Sequence, residues 1–465
     1  MKPFKTVGEQ DLSFFETLLP GRVFSGDAIS EDYDHDEMTE YGHYMPDAVL
    51  HVLSTEEVSA VLRYCNGHHI AVIPRGTGTG LCGGCVAKGG GVVLSTEKMK
   101  RVLEVDTRNM TATLEPGVLL MEFPKALEGT GLFYPPDPGE KTATIGGNAI
   151  TNAGGMRAVR YGVTRDYVLG MEVVLADGTV LTLGGKNVKT SSGYSLLNLM
   201  VGSEGTLGFL TKLTVKLIPE PKVNLSLLIP FDDLDKCIGA VPAVLACGCE
   251  PTAVEFMERE VIACAETYLG KKFPDTSADA YLLVRLDGAS AEALQPATSI
   301  LTDLALSLGA KDVLLADTDE RKESIWNARG AFLEAIKGST PGMDECDVVV
   351  PRDRIAAFVR KSVEIGTMQQ VRICSFGHAG DGNLHIYACQ DEYPDAVWKQ
   401  KVHAVMQALY HEAQALCGEV SGEHGVGHAK REFLEESLGK RQVELMRGIK
   451  AAFDPNGILN PGKVI

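Results

Sequence analysis

Two short stretches of this chain gather side chains able to hold a metal ion and accept a proton. Phe376-Gly-His-Ala-Gly-Asp-Gly-Asn-Leu-His-Ile-Tyr387 sets His378 and His385 on either side of a glycine-rich turn. A turn that folds two strand-like runs together lets both imidazoles converge on one ion. Gly418-Glu-Val-Ser-Gly-Glu-His-Gly-Val-Gly427 adds Glu423 and His424. Any one of these histidines alone reads as an ordinary satisfied polar residue. Together the two stretches place three of the chain's 11 histidines and a carboxylate inside glycine loops, a pattern that points to ligation and proton transfer.

A second group of motifs suits phosphate. Pro74-Arg-Gly-Thr-Gly-Thr-Gly80 follows a strand-like run, and its glycines leave backbone N–H groups free to approach an anion closely. Its spacing is not G-x-G-x-x-G, and Leu81-Cys-Gly-Gly-Cys-Val86 opens no amphipathic helix, which excludes a nicotinamide-type loop. Alone the loop is a weak signal. Pro135-Pro-Asp-Pro138, Thr144-Ile-Gly-Gly-Asn148, Asn152-Ala-Gly-Gly155 and Gly202-Ser-Glu-Gly-Thr-Leu-Gly208 accompany it. So many glycine loops carry an entropic cost that a plain scaffold has no use for. A long ligand touched by backbone at several points accounts for them.

These residues need elements to position them. Residues 1–42 read as a helical lead ending in a solvated acidic turn, Glu31 to Glu37. Over 43–220, β-branched runs (71–74, 91–94, 171–175) alternate with helical stretches and glycine clusters, as in an α+β ligand-binding domain. Over 221–415 glycine thins, and helical patterns such as 290–308 alternate with strands such as 280–285, marking a second domain. Residues 416–465 restore the glycine clusters. Their apolar, turn-rich end, Phe453 to Gly462, is expected to return to the first domain.

The run from Pro46 to Pro219 resembles the flavin-binding domain of the vanillyl-alcohol-oxidase-like family. The resemblance rests on the PRGxGTG loop, the TIGGN and TNAGG segments followed by Tyr161-Gly-Val-Thr-Arg-Asp-Tyr167, and the GSEGTLG loop. Cys82 stands where the family's loop has Ser. The rest is similar to the C-terminal domain of the D-lactate, glycolate and D-2-hydroxyglutarate dehydrogenase branch. This implies a two-subdomain FAD-binding domain plus an α+β substrate (cap) domain with an antiparallel sheet.

The resemblance further implies non-covalent FAD, with Arg75, Gly76, Thr77, Gly78, Thr79, Gly80 and Leu81 on its pyrophosphate. Pro136, Asp137, Thr144, Gly147, Asn148, Asn152, Gly155, Val163 and Asn460 then line the rest of the cofactor. His378, His385 and Glu423 become divalent-metal ligands, and His424 the catalytic base. An N/O set suits Zn, Fe, Mn or Co without choosing among them. Trp326-Asn-Ala-Arg329 resembles the family's W-x-x-R element, whose arginine forks onto a substrate carboxylate, and Asn383 is a second substrate contact. The implied reaction is hydride transfer from a small D-2-hydroxy acid, D-lactate or glycolate, to flavin N5. An electron-transfer flavoprotein or iron-sulfur subunit would be the kind of acceptor partner. A D-2-hydroxyglutarate dehydrogenase is one alternative. A non-catalytic electron-transfer subunit is another, but it has no need of a metal set and a base. Where the hydroxyglutarate branch carries a lysine, this chain has Glu345, an acid expected to repel a second carboxylate.

Charge narrows the partners. With 44 Lys+Arg against 62 Asp+Glu the net charge is -18, which repels nucleic-acid phosphates and anionic lipid. A carboxylate substrate therefore needs a local positive centre, an arginine or a metal. No apolar run reaches the roughly 18 residues of a transmembrane segment. MKPFKTVGEQ lacks a signal-peptide core. The 11 cysteines, without framework spacing, fit the reduced thiols of a cytoplasmic protein.

Overall fold

The valine-rich runs become strands because β-branched side chains suit a pleated, covered surface. In the computed structural model, which describes residues 4–465, they are distributed over two units. The first unit comprises residues up to Gly154, Val163–Glu220 and Glu423–Ile465, and the second Gly155–Gly162 and Pro221–Gly422.

In the first unit Val23–Ser25 (β1), Ala48–His51 (β2), Val72–Arg75 (β3) and Val92–Ser95 (β4) form a sheet in the order β1-β2-β4-β3. β2 and β3 run parallel to β4, which is buried along its whole length, as a parallel strand covered on both faces should be. The helix Thr55–His68 starts where Ser54 accepts from the Glu57 N–H, and it lends Val58, Val61 and Leu62 to a core with Phe15, Leu50, Leu94 and Leu459. The chain's end joins the same sheet: Val72 N–H donates to Ile458 O and Asn460 N–H to Val72 O, both at 2.8 Å. Downstream lie Val102–Asp106 (β5), Thr111–Leu114 (β6), Leu132–Phe133 (β7), Val168–Val174 (β8), Val180–Gly184 (β9), Phe209–Lys216 (β10) and Ile218–Pro219 (β11). Five of them make an antiparallel sheet, β5-β6-β10-β8-β9, and β7 pairs with β11.

The lead segment is more integrated than its polarity suggests. After the helix Glu9–Leu18, β1 pairs antiparallel with β2. The acidic turn is not simply solvated either, since Asp36 is buried and accepts from the N–H groups of Met38 and Gly83.

The second unit is built on seven strands: Val223–Phe231 (β12), Ala253–Glu258 (β13), Ala280–Gly288 (β14), Leu314–Ala316 (β15), Met343–Val349 (β16), Arg372–His378 (β17) and Asn383–Cys389 (β18). Their order is β15-β12-β14-β13-β17-β18-β16, antiparallel throughout. The expected 290–308 helix is present as Ala291–Ser307, N-capped by Ser290. The α+β class and the antiparallel sheet of the second unit agree with the sequence reading.

Candidate functional site

Strand alternation brings the second unit's polar residues onto one face of its sheet. Register pairs Phe376 with His385, Asp347 with His385, Glu345 with Tyr387 and His378 with Asn383. Residues 345 and 347, 376 and 378, and 383, 385 and 387 therefore share a face. The β17–β18 turn is tight: Gly382 has φ +91°, and its N–H donates to His378 O at 3.0 Å. His378 and His385 come out with ring centroids 5.3 Å apart and planes at 89°.

Each imidazole is anchored through Nδ1 by a buried carboxylate. Glu255, on β13 and fully buried, takes His378 Nδ1 at 2.8 and 2.9 Å, and Glu345 takes His385 Nδ1 at 3.1 Å. A carboxylate only accepts, so Nδ1 carries the proton and Nε2 is the nitrogen left to ligate. Burial pushes the Glu255 carboxyl up, but the charges and hydrogen bonds of His378 and Arg329 outweigh it and hold it below the usual carboxylate range. Neither acid was assigned this part from the sequence. Glu255 lies over a hundred residues away, and its only local signal was a carboxylate inside an apolar strand, Ala253-Val-Glu-Phe-Met257.

Arg329 sits in the last turn of the helix Asp319–Gly330, buried, its guanidinium 4.5 Å from the Phe376 ring centroid. Its Nε and Nη2 both donate to Glu255 Oε2, at 3.0 and 2.6 Å. Asn383 donates through Nδ2 to Asp347 Oδ1 at 2.7 Å and to Val348 O at 2.9 Å. Glu345 accepts from the Tyr387 hydroxyl at 2.6 Å as well as from His385. Glu345, the acid expected to repel a second carboxylate, is thus also a buried hydrogen-bond acceptor. Asp347 also takes the Ser421 hydroxyl at 2.8 Å and the Gly422 N–H at 3.3 Å, fixing the start of the second glycine-rich stretch.

In the first unit the glycine loops cluster around the short helix Ile145–Thr151. Thr144 is its N-cap, accepting from Gly147 N–H at 3.0 Å, and Asn152 closes it in the left-handed region at φ 55°. Gly76 lies so close that an added Cβ would stand 2.6 Å from Thr144 Oγ1, and Thr77 Oγ1 donates to Thr142 O at 2.9 Å. The backbone N–H groups of residues 76–81 donate to no acceptor among the described residues, the cradle an anion requires. Among this unit's buried polar atoms, Asn148 Nδ2, Ser203 Oγ and Asn460 Oδ1 likewise have no partner among the described residues. A long polyfunctional ligand with phosphates, such as FAD, fits this set of donors and acceptors.

The Arg75 side chain does not join that cradle. It runs beneath the loop to donate to His35 O at 2.8 Å and Asp32 O at 2.6 Å. Gly80 and Leu81 complete the loop. Pro136 is buried beside the half-buried Asp137, which pairs with Lys141, and Val163 N–H donates to Asp166. Gly155, with φ 138°, belongs to the second unit, unlike the other cofactor candidates. Asn460, at φ 42°, donates to Gly84 O and Glu204 O.

Glu423 and His424 open the first unit's last segment. Glu423 lies against Gly154, where a Cβ would be 2.7 Å from its Oε2, and its Oε1 is 3.5 Å from His424 Nε2. The loop after them is held by Glu204, whose carboxylate accepts from Val426 N–H at 2.7 Å and Gly427 N–H at 2.8 Å. Burial pushes the Glu204 carboxyl upward despite those two donors. The GSEGTLG motif thus has a structural duty that its resemblance did not reveal.

A glycine-amide cradle in one α+β unit and a seven-stranded antiparallel sheet in the other define a flavoprotein of the vanillyl-alcohol-oxidase-type FAD-binding fold. A solved p-cresol methylhydroxylase superposes with a TM-score of 0.83 over 99% of this chain and 98% of its own, at 19% identity. Residues 46–184 match the FAD binding domain family and residues 220–464 the C-terminal domain of the FAD linked oxidases. The chain belongs to the FAD-linked oxidase family. A D-lactate dehydrogenase of Anaerostipes hadrus is 48% identical over 99% of this chain and 98% of its own length. The glycolate oxidase subunit GlcD of Bacillus subtilis is 40% identical over 93% and 91%.

Proposed function

We propose that this enzyme oxidises a small D-2-hydroxy acid, D-lactate or glycolate, to the 2-oxo acid, using non-covalently bound FAD and a divalent metal. The observation that carries the reading is the pair of imidazoles 5.3 Å apart, each held on Nδ1 by a buried carboxylate, on the sheet face that also receives Arg329. Such a donor set suits Zn, Fe, Mn or Co. Glu423 as third ligand is supported by chain continuity. Asp347 fixes the Gly422 N–H, and the next Cα follows one peptide, about 3.8 Å, further on.

The chain's own groups divide the work. Arg329 serves Glu255 through Nε and Nη2, which leaves Nη1 for the substrate carboxylate. Asn383 has its NH₂ committed, which leaves its carbonyl oxygen to accept from the substrate. His424 takes the hydroxyl proton as general base. FAD, when bound, supplies the acceptor for the hydride from the substrate's 2-carbon. A metal on the histidines supplies Lewis acidity toward the substrate's oxygens.

Preference for a monocarboxylate is supported by the two relatives above and by the lack of a lysine at position 345. Electrons then leave to an external acceptor, an electron-transfer flavoprotein or iron-sulfur subunit. None of the 11 cysteines is in a disulfide, which supports a cytoplasmic setting, and no described helix is long and apolar enough to cross a membrane. The test is kcat/KM for D-lactate, glycolate, L-lactate and D-2-hydroxyglutarate. One of the first two should lead by at least about tenfold, on the order of 1.4 kcal/mol. A lead for the dicarboxylate would overturn the monocarboxylate assignment.

A further inference from the structure

We infer that Glu255 is the single positioning residue that aims both halves of the substrate site, the metal-ligating His378 and the carboxylate-binding Arg329. The inference rests on the function proposed above and goes past it, because it makes one non-ligand carboxylate answerable for two affinities.

The geometry is specific. Glu255 Oε2 accepts three hydrogen bonds, from His378 Nδ1 at 2.8 Å and from Arg329 Nε and Nη2 at 3.0 and 2.6 Å, and Oε1 lies 2.9 Å from the same imidazole nitrogen. Its side chain has no exposed surface, and those of Arg329 and His378 are 6% and 7% exposed. In such surroundings neither the guanidinium nor the imidazole can turn to water if the carboxylate is removed, so both lose their fixed direction. The partner histidine is held differently. Glu345 anchors His385 and accepts the Tyr387 hydroxyl, whereas Arg329 gives the hydrogen bonds of its Nε and Nη2 to Glu255. The two acids are therefore a natural control pair: equal toward the metal, unequal toward the substrate carboxylate. A carboxylate behind a ligating imidazole typically changes metal affinity by about 10–100-fold when lost.

The experiment compares Glu255→Gln with Glu345→Gln in the full-length, FAD-loaded protein. Manganese affinity is read by competition against a chromogenic chelator, and the KM for D-lactate is read at saturating manganese. Both variants should weaken manganese binding by about 10–100-fold. Only Glu255→Gln should also raise KM, by about tenfold or more, while Glu345→Gln leaves KM within about threefold of wild type. Glu255→Gln that spares either quantity, or Glu345→Gln that raises KM equally, overturns the inference. If Glu255→Gln does not fold, Glu255→Asp decides, since a carboxylate one methylene shorter cannot span both partners. At least one of the two affinities must then fall about tenfold, and two unchanged values overturn the inference. Wild-type protein that binds no manganese, or does not turn over D-lactate, fails the underlying functional reading instead, which keeps the two failures apart.

Discussion

The first unit offers its ligand main-chain groups, and the second offers side chains. Around the helix Ile145–Thr151 the chemistry lies in free N–H groups, left-handed residues and close glycine contacts. On the sheet face of β13, β16, β17 and β18 it lies in buried carboxylates, each directing a cation or an imidazole. The difference fixes what each site tolerates. A backbone cradle resists change at glycine and is indifferent to most side-chain chemistry, whereas a directed network fails when one acid is neutralised.

The largest expected effect breaks the second site and spares the first. His385→Ala should slow flavin reduction by D-lactate more than about 100-fold, with FAD still bound, because under the proposed function it removes a ligand and not merely its support. Loss of FAD from this variant would mean that the two sites are not separable. The converse change is Gly78→Ala. Gly78 has φ +83°, and a methyl there would overlap the Arg75 guanidinium. Strain of about 1–3 kcal/mol should weaken FAD binding by roughly 5- to 150-fold, measured by flavin release, while manganese affinity stays at the wild-type value.

A third prediction concerns the ground beneath the cradle. Burial pushes the Asp36 carboxyl from 3.8 up to about 6, against the lowering effect of the Met38 and Gly83 N–H groups and of Arg75. A raised folded value means that its contribution to stability is complete below about pH 4 and is lost as pH rises through about 6. The stability of wild type relative to Asp36→Asn should therefore decline over that window, by about 3 kcal/mol at most. A difference that is flat across pH 4–7 in paired denaturant titrations would remove the buried-acid assignment.

This contrast also sets what the sequence alone could disclose. The glycine loops were legible because main-chain requirements are written locally, in φ-permissive residues at fixed offsets. His378 and His385 were legible because one turn brings them together, and the family resemblance implied the antiparallel sheet that carries them. The anchoring acids were not. Glu255 reaches His378 only through the β13–β17 pairing, and Glu345 reaches His385 only through β16–β18. No local spacing encodes either partnership. Glu345 was noticed for its charge alone, because a charge difference from related sequences shows that a residue changed without showing what it touches. Asp36 looked like part of a solvated acidic run until Gly83 supplied its donor.

The central claim is that the paired, carboxylate-anchored histidines hold a metal needed for oxidation, independently of the flavin. Anaerobic stopped-flow reduction of the flavin by D-lactate, before and after exhaustive chelation and again after manganese is restored, tests it most directly. The chelated enzyme should keep its full flavin absorbance, lose more than about 100-fold in reduction rate, and recover on addition of the ion. Reduction at the untreated rate in protein shown by elemental analysis to be metal-free would contradict the assignment of His378 and His385.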